Sequence, residues 1–300
     1  MDSSILLIGG SNIDYIATSN EELIKHNSNI GELEVSFGGV MRNVVENLCR
    51  VGAKCTFITA IGKDSNGLSM FNYMEKLGAS MHSPNTELNT SSYIAINNKN
   101  RDMEYAINDM RIMGSLNPTF LSANINLFED HEYIVIESNL TDETIEWIFS
   151  NFKDRKILCE GISQTKIMKF EKYLKDIYLL KCNLYEANAI LHKEGLDAKK
   201  CIQALTLKGV KNCVITQGKD EIAFYEKGLI DFVPVKENNN IHGNTTGCGD
   251  ALFSGVVDYL VRDNSLKDAI IFGTKLSAIT LESSKANNPD VAKFSYPHKN

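Results

Sequence analysis

Short apolar runs alternate with stretches of helical periodicity along nearly the whole chain, and few folds satisfy that pattern. The apolar runs lie at residues 5–9, 55–60, 133–136, 157–159, 178–182 and 213–216. Around them, apolar residues recur three and four apart near 40–51, 66–77, 142–152, 186–192, 197–208, 247–262 and 266–282. A strand that is apolar at successive positions is buried on both faces, and a helix between two such strands carries the chain back so that they run parallel. The expected fold class is α/β: a mainly parallel sheet flanked by helices on both faces.

Two regions break the rhythm. Residues 15–37 end in the alternating Leu33-Glu34-Val35-Ser36-Phe37, and residues 91–109 hold Tyr93-Ile94-Ala95-Ile96 and Met103-Glu104-Tyr105-Ala106-Ile107 around a turn at 97–101. These read as half-exposed antiparallel strands and a hairpin, hence a small β-lid beside the main sheet. Lids of this kind close over a bound ligand and exclude water. No repeat, low-complexity tract or linker divides the 300 residues, so one domain over 1–300 is expected.

Composition removes several classes of function. A net charge of −7 lacks the basic face of a general nucleic-acid binder. No run approaches the roughly 20 apolar residues of a membrane span. The N-terminus enters the run at 5–8 without a basic flank or cleavage site, and seven cysteines form no C-x-x-C pair. A reduced, cytoplasmic protein is expected.

The segment 243–253, Gly-Asn-Thr-Thr-Gly-Cys-Gly-Asp-Ala-Leu-Phe, places a glycine-rich turn before a helix whose Leu252, Phe253, Val256, Val257 and Leu260 share one face. The N–H groups of Gly247, Cys248 and Gly249 fall at that helix's positive end, where an anion can bind. A carboxylate, Asp250, is out of place beside an anion unless it takes a proton from an attacking hydroxyl. Two readings stand: a simple turn with Asp250 complementing the helix dipole, or a phosphoryl-transfer site.

Further polar clusters follow the apolar runs, where open α/β sheets collect ligands. Gly9-Gly10-Ser11-Asn12-Ile13-Asp14 puts Asn12 and Asp14 two apart, on one side of an extended chain. The pair suits a sugar diol or a turn cap equally. Gly38-Gly39 opens a helix that carries Asn43 about one turn in, facing a ligand at its start or merely forming a strand-to-helix turn. Asn183 and Glu186, three apart, fit a capping box or a water-mediated hold on Mg²⁺ and phosphate. Thr216-Gln217-Gly218 ends a strand in a glycine turn, a place for a nucleotide.

In combination, Gly38-Gly39 with Asn43 and Gly52, Asn183-x-x-Glu186, and Thr246-Gly247-Cys248-Gly249-Asp250 resemble the ribokinase-like (PfkB) family of sugar and nucleoside kinases over essentially the whole chain. Within that family the segment Gly39-Val40-Met41-Arg42-Asn43-Val44-Val45-Glu46-Asn47-Leu48 is most similar to the pseudouridine kinases. Asp109-Met110, Ser163-Gln164-Thr165-Lys166, Asn244 and Ile279-Thr280-Leu281-Glu282-Ser283 also resemble that branch. Four positions depart from the pattern: Cys248 stands where alanine is usual, Glu160-Gly161 where Asp-Pro is usual, and Glu221 where a glycine is customary.

The resemblance implies ATP-dependent phosphorylation of a ribonucleoside 5′-hydroxyl, pseudouridine foremost, with Asp250 as base and Gly247, Cys248 and Gly249 as the anion hole. It implies ribose contacts from Asn12, Asp14, Gly38, Gly39 and Asn43, further substrate contacts from Asp109 and Lys166, and ATP beside Thr216, Gly218, Thr246 and Thr274. Asn183 and Glu186 would organise the waters of Mg²⁺. A monovalent cation is a further expected activator, and a homodimer through the lid an expected assembly. The rivals are a kinase for adenosine, inosine or ribose, and a catalytically silent nucleotide-sensing protein.

Overall fold

The computed structural model describes residues 4–235 and 245–295; Gly243 and Asn244, at the start of the glycine-rich segment, lie outside the described residues. The strands are β1 (Ile5–Ile8), β2 (Asn12–Ser19), β3 (Gly31–Gly38), β4 (Cys55–Ile58), β5 (Ser80–His82), β6 (Ser92–Asn97), β7 (Met103–Asp109), β8 (Tyr133–Glu137), β9 (Lys156–Glu160), β10 (Leu179–Asn183), β11 (Cys213–Thr216), β12 (Ile222–Glu226) and β13 (Leu229–Val233). The α-helices are α1 (Val40–Arg50), α2 (Ser65–Lys76), α3 (Pro118–Ala123), α4 (Ile125–Glu129), α5 (Asp142–Phe152), α6 (Leu184–Ile190), α7 (Ala198–Leu207), α8 (Cys248–Val261) and α9 (Leu266–Thr280).

Nine strands form the main sheet in the order β13-β12-β11-β10-β9-β8-β1-β4-β5. From β11 to β5 every pair is parallel, as the alternating runs require. The edge hairpin β12–β13 is antiparallel and was not among the expected strands. β13 is partly exposed and holds Asp231, so it lacks the continuous apolar run that marks a central strand. The short β5 and a 3₁₀ helix at Ile167–Tyr173 were likewise not anticipated.

Alternation along β1 divides the core. Leu6 and Ile8 pack with Ile145, Ile148 and Ile202 on the face covered by α5 and α7. Ile5 and Leu7 pack with Val44, Leu48, Val256 and Val257 on the face covered by α1 and α8. Helices start where side chains satisfy their first N–H groups: Asp64 caps α2, Thr141 caps α5, Asp197 caps α7 and Ser265 caps α9.

The two irregular regions meet in a second sheet of order β3-β2-β6-β7. This is the expected lid, but β2 already begins at Asn12, so the polar residues after β1 belong to the lid itself. Register gives its faces opposite characters. Asp14 lies between Ser36 and Tyr93, with Asn108 beyond Tyr93. Tyr15, on the other face, lies between Val35 and Ile94, with Ile107 beyond.

Candidate active site

The site is built where β1 hands the chain to the lid. Gly9 must be small, because a Cβ there would sit 2.6 Å from Cγ of Glu137. The Gly10 N–H then donates to Glu137 Oε1 at 2.7 Å. Asn12 and Asp14 share a face of β2, and Asn12 Nδ2 donates to Asp14 Oδ1 at 2.5 Å. The Asp14 carboxylate lies over Gly38, where a Cβ would meet Oδ2 at 2.2 Å. Burial pushes the Asp14 pKa up, while the Asn12 hydrogen bond and the Arg42 charge oppose it.

Gly39 begins α1 at φ 102°, a conformation that glycine adopts without strain. One turn on, Asn43 Nδ2 donates to Asp250 Oδ2 at 2.6 Å. The Asn43 amide is itself oriented. Its Oδ1 accepts from Arg42 Nη2, and Arg42 also pairs with Glu46 and donates to Phe37 O at 2.9 Å and Asn287 Oδ1 at 2.8 Å. Asn287 Nδ2 returns to the Asn43 carbonyl at 3.0 Å. Two segments far apart in sequence are thereby joined around Asn43, the residue that binds Asp250.

Asp250 stands in the first turn of α8, behind Gly247 in the left-handed region at φ 82°. A Cβ at Gly247 would fall 1.9 Å from the Ala286 carbonyl, so the C-terminal segment leaves no room for a side chain. The N–H of Cys248 reaches the Thr245 carbonyl at 3.3 Å, a long bond, so this donor is only loosely held within the turn. The Cys248 thiol is pushed up to about 11, chiefly by burial, and is neutral at ordinary pH. Burial also raises Asp250, with Asn43, Lys181 and Arg42 pulling the other way.

At the ends of the neighbouring strands, Lys166 Nζ donates to Asn139 Oδ1 at 2.5 Å and Asn139 Nδ2 to Glu137 Oε2 at 2.7 Å. Lys166 is thus tied through Glu137 to Gly10. Asn183 and Glu186 form a full capping box: Asn183 Oδ1 accepts from the Glu186 N–H at 2.9 Å, and Glu186 Oε2 from the Asn183 N–H at 2.9 Å. Glu186 Oε1 also accepts from Asn183 Nδ2 at 2.8 Å. The box leaves each carboxylate oxygen a further lone pair, so these hard oxygen donors also suit the water shell of Mg²⁺. Thr216 pairs in register with Asn183, and Gly218 follows at φ 68° with open space about it. Thr246 precedes the anion turn on the surface. Thr274 directs its hydroxyl to the Ile271 carbonyl of its own helix.

Asp109 is not brought to this group. Its register partner is Ser92, beside Ile13, so Asn108 rather than Asp109 shares the face of Asp14. Arg111 binds both Asp109 oxygens, at 2.9 and 2.7 Å, and holds its pKa down at about 2. Sequence reasoning gave no role to Glu137, Glu160 or Lys181, all buried in strands whose charges reach Asp250. The available signal was a charged residue inside or closing an apolar run.

The model of the "pfkB family carbohydrate kinase" family matches residues 2–293. The chain is 28% identical to the pseudouridine kinase of Escherichia coli (strain K12), over 96% of this chain and 93% of that protein. It is 21% identical to the guanosine-inosine kinase of Exiguobacterium acetylicum, over 94% of this chain and 96% of that one. Among solved structures, ribokinase from Thermotoga maritima superimposes with a TM-score of 0.83 at 19% identity, covering 97% of this chain and 98% of that chain.

Proposed function

The chain belongs to the pfkB family of carbohydrate kinases and is an ATP-dependent phosphotransferase; within that family we infer that it phosphorylates the 5′-hydroxyl of pseudouridine. The observation that carries the reading is the 2.6 Å contact between Asn43 and Asp250, which joins the helix expected to hold a ribose to the turn expected to hold a phosphate. Pseudouridine rather than another nucleoside is supported by the likeness to the E. coli enzyme along both chains and by the Gly39–Leu48 segment.

In this reading Asn12, Asp14, Gly38, Gly39 and Asn43 bind the ribose hydroxyls, and Lys166 stands on the base side. Asp250 takes the 5′-hydroxyl proton as that oxygen forms its bond to the γ-phosphorus, while the bond to the β–γ bridging oxygen breaks and ADP leaves. The backbone donors of Gly247, Cys248 and Gly249 receive the charge on the transferred group. Thr216, Gly218, Thr246 and Thr274 border ATP. When bound, Mg²⁺ neutralises phosphate charge, and Asn183 and Glu186 would hold its waters. A monovalent cation would act as an additional activator.

The apolar lid face, with Leu33, Val35, Tyr105 and Ile107 all more than half exposed, supports a homodimer through the lid. No helix among the described residues is long and apolar enough to cross a membrane, and a cytoplasmic site of action is proposed. Turnover of a panel of pseudouridine, uridine, adenosine, inosine, guanosine and ribose with ATP and Mg²⁺ tests the assignment. Preference for pseudouridine supports it, and preference for another alcohol replaces it with a sibling kinase, a reading that the guanosine-inosine relative keeps open. Binding of nucleotide without turnover of any alcohol would leave a sensing protein.

A further inference from the structure

Three charged side chains occupy one level of the central sheet, where apolar residues are the rule. Register pairs Glu137 with Glu160 and Glu160 with Lys181, so all three share a face. Val135, Leu158 and Leu179, two residues before each, pack in the core beneath α1 and α8. The row therefore faces the layer that carries Asp250. Glu137 is 0% exposed, Glu160 2% and Lys181 6%.

Lys181 is the cation of the row. Its ammonium pairs with Glu160 Oε1, while Glu160 Oε2 is buried without a hydrogen-bond partner. An ammonium has three donors, and Glu160 takes one. On its other side Nζ lies 3.2 Å from where a Cβ of Gly249 would stand. A buried pair of this sort stabilises a fold little, because desolvation cancels most of the attraction. Its position under the helix start is what needs explaining.

The charges around Asp250 come from four elements. Arg42 of α1 and Lys181 of β10 attract its carboxylate. Glu137 of β8 and Glu160 of β9 are themselves pushed up by burial and by the Asp250 charge, and the neighbouring Cys248 of α8 is neutral. Lys166 partly offsets Glu137, and Glu186 shares the field of Lys181. Of the two attracting groups, Arg42 already serves Glu46, Asn43 and Asn287.

We propose that Lys181 is a positioning residue for phosphoryl transfer: fixed by Glu160 and seated under Gly249, its ammonium keeps the Asp250 carboxylate charged at the head of α8. The ammonium thus lies within reach of the helix start, 3.2 Å from where a Cβ of Gly249 would stand. This role rests on the reading of Asp250 as the base.

The test is the pH dependence of kcat in Lys181→Met and Lys181→Arg, measured with whichever alcohol the substrate panel selects. Lys181→Met removes an attracting charge and moves the acid limb up by about one pH unit or more. Lys181→Arg keeps the charge and leaves the limb near that of the wild type. A limb raised in the first variant and restored in the second is the expected result, and a merely structural pair would not produce it. An unmoved limb in Lys181→Met, or an equal shift in both variants, overturns the proposal. If Lys181→Met does not fold, Lys181→Gln takes its place. Loss of pseudouridine preference in the wild-type panel strikes the substrate assignment, whereas wild-type turnover with an unmoved Lys181→Met limb strikes only the role of Lys181.

Discussion

Asn43 and Asp250, 207 residues apart in sequence, meet through a 2.6 Å hydrogen bond from the Asn43 amide to the Asp250 carboxylate. One stands a turn into the helix that follows the lid and the other in the first turn of α8. Their contact joins the start of α1 to the start of α8, the two places proposed above for sugar and phosphate. The most direct consequences concern the carboxylate.

Asp250→Asn keeps the shape and the acceptor oxygen but cannot take a proton. The variant should bind ATP normally while kcat falls by about 10²–10⁴-fold, the usual contribution of a general base. Because burial raises the wild-type carboxylate's pKa, folding favours its protonated form. The neutral amide should therefore melt no lower than wild type at neutral pH. Steady-state kinetics and calorimetric melting check both halves, and near-normal turnover would remove Asp250 from the base's role.

Asn43→Ala deletes a hydrogen bond that favours the charged carboxylate. A base works in its deprotonated form, so activity falls as pH drops through its pKa. Without Asn43 that pKa rises, and the acid limb of kcat should shift to higher pH. The nucleoside KM should also rise, since the ribose loses a contact. An unchanged KM would take Asn43 out of the sugar site even if the limb moves.

Gly247→Ala tests the anion turn. The added methyl would need the space of the Ala286 carbonyl and a positive φ. The turn must open, and kcat should drop at least about tenfold with folding retained at a cost of about 1–3 kcal/mol. Turnover equal to wild type in a folded variant would show that these backbone donors do not meet the transferred phosphate.

The parallel sheet and the lid were legible in the sequence because they rest on periodicity, which depends only on which residues are apolar. Asp250, Asn43 and Gly39 were legible because glycine turns before helices have a local chemistry. The row of Glu137, Glu160 and Lys181 was not, since its meaning lies in strand register, a long-range property of the pairing order. The placement of Asp109 on the lid face opposite Asp14 was likewise not legible. A one-residue step along a strand reverses the face, and the resemblance of Asp109-Met110 to a family pattern carried no register with it. The Asn183 and Glu186 pair is the intermediate case, a local cap in plain view whose second use depends on what lies across the cleft.

Glu137 offers a test in stability rather than turnover. Its carboxylate is fully buried and its pKa is pushed up to about 7, chiefly by burial, against the Gly10 N–H, Lys166 and Asn139. The unfolded chain releases this proton near 4.5, so stability from this group is complete below that pH and is lost as pH rises towards 7. Glu137→Gln lacks the titration and keeps an oxygen for the Gly10 N–H. It should match wild type near pH 4.5 and exceed it at pH 8 by up to about 3 kcal/mol. Equal denaturation midpoints at both pH values would contradict the raised pKa.

The lid supplies the last prediction. Its outer face carries Leu33 at 62% exposure and Ile107 at 69%, on strands β3 and β7 at opposite edges of the four-stranded sheet. Across the middle, Ala17 pairs with Leu33 and Ile96, and Ile94 pairs with Ile107, so the apolar residues form one band rather than scattered points. Contiguous apolar area of this kind is rare on a monomer and stabilises association when a second copy covers it. Leu33→Lys with Ile107→Lys places charges at both edges without touching Asp14, Asn43 or Asp250. Light scattering should report a dimer for the wild type and a monomer for the double variant, at unchanged circular dichroism. If the lid closes over substrate only when braced by its partner, the monomer should also show a raised nucleoside KM. A wild type that scatters as a monomer over the micromolar range would rule out the lid pairing, and the apolar band would then need another occupant.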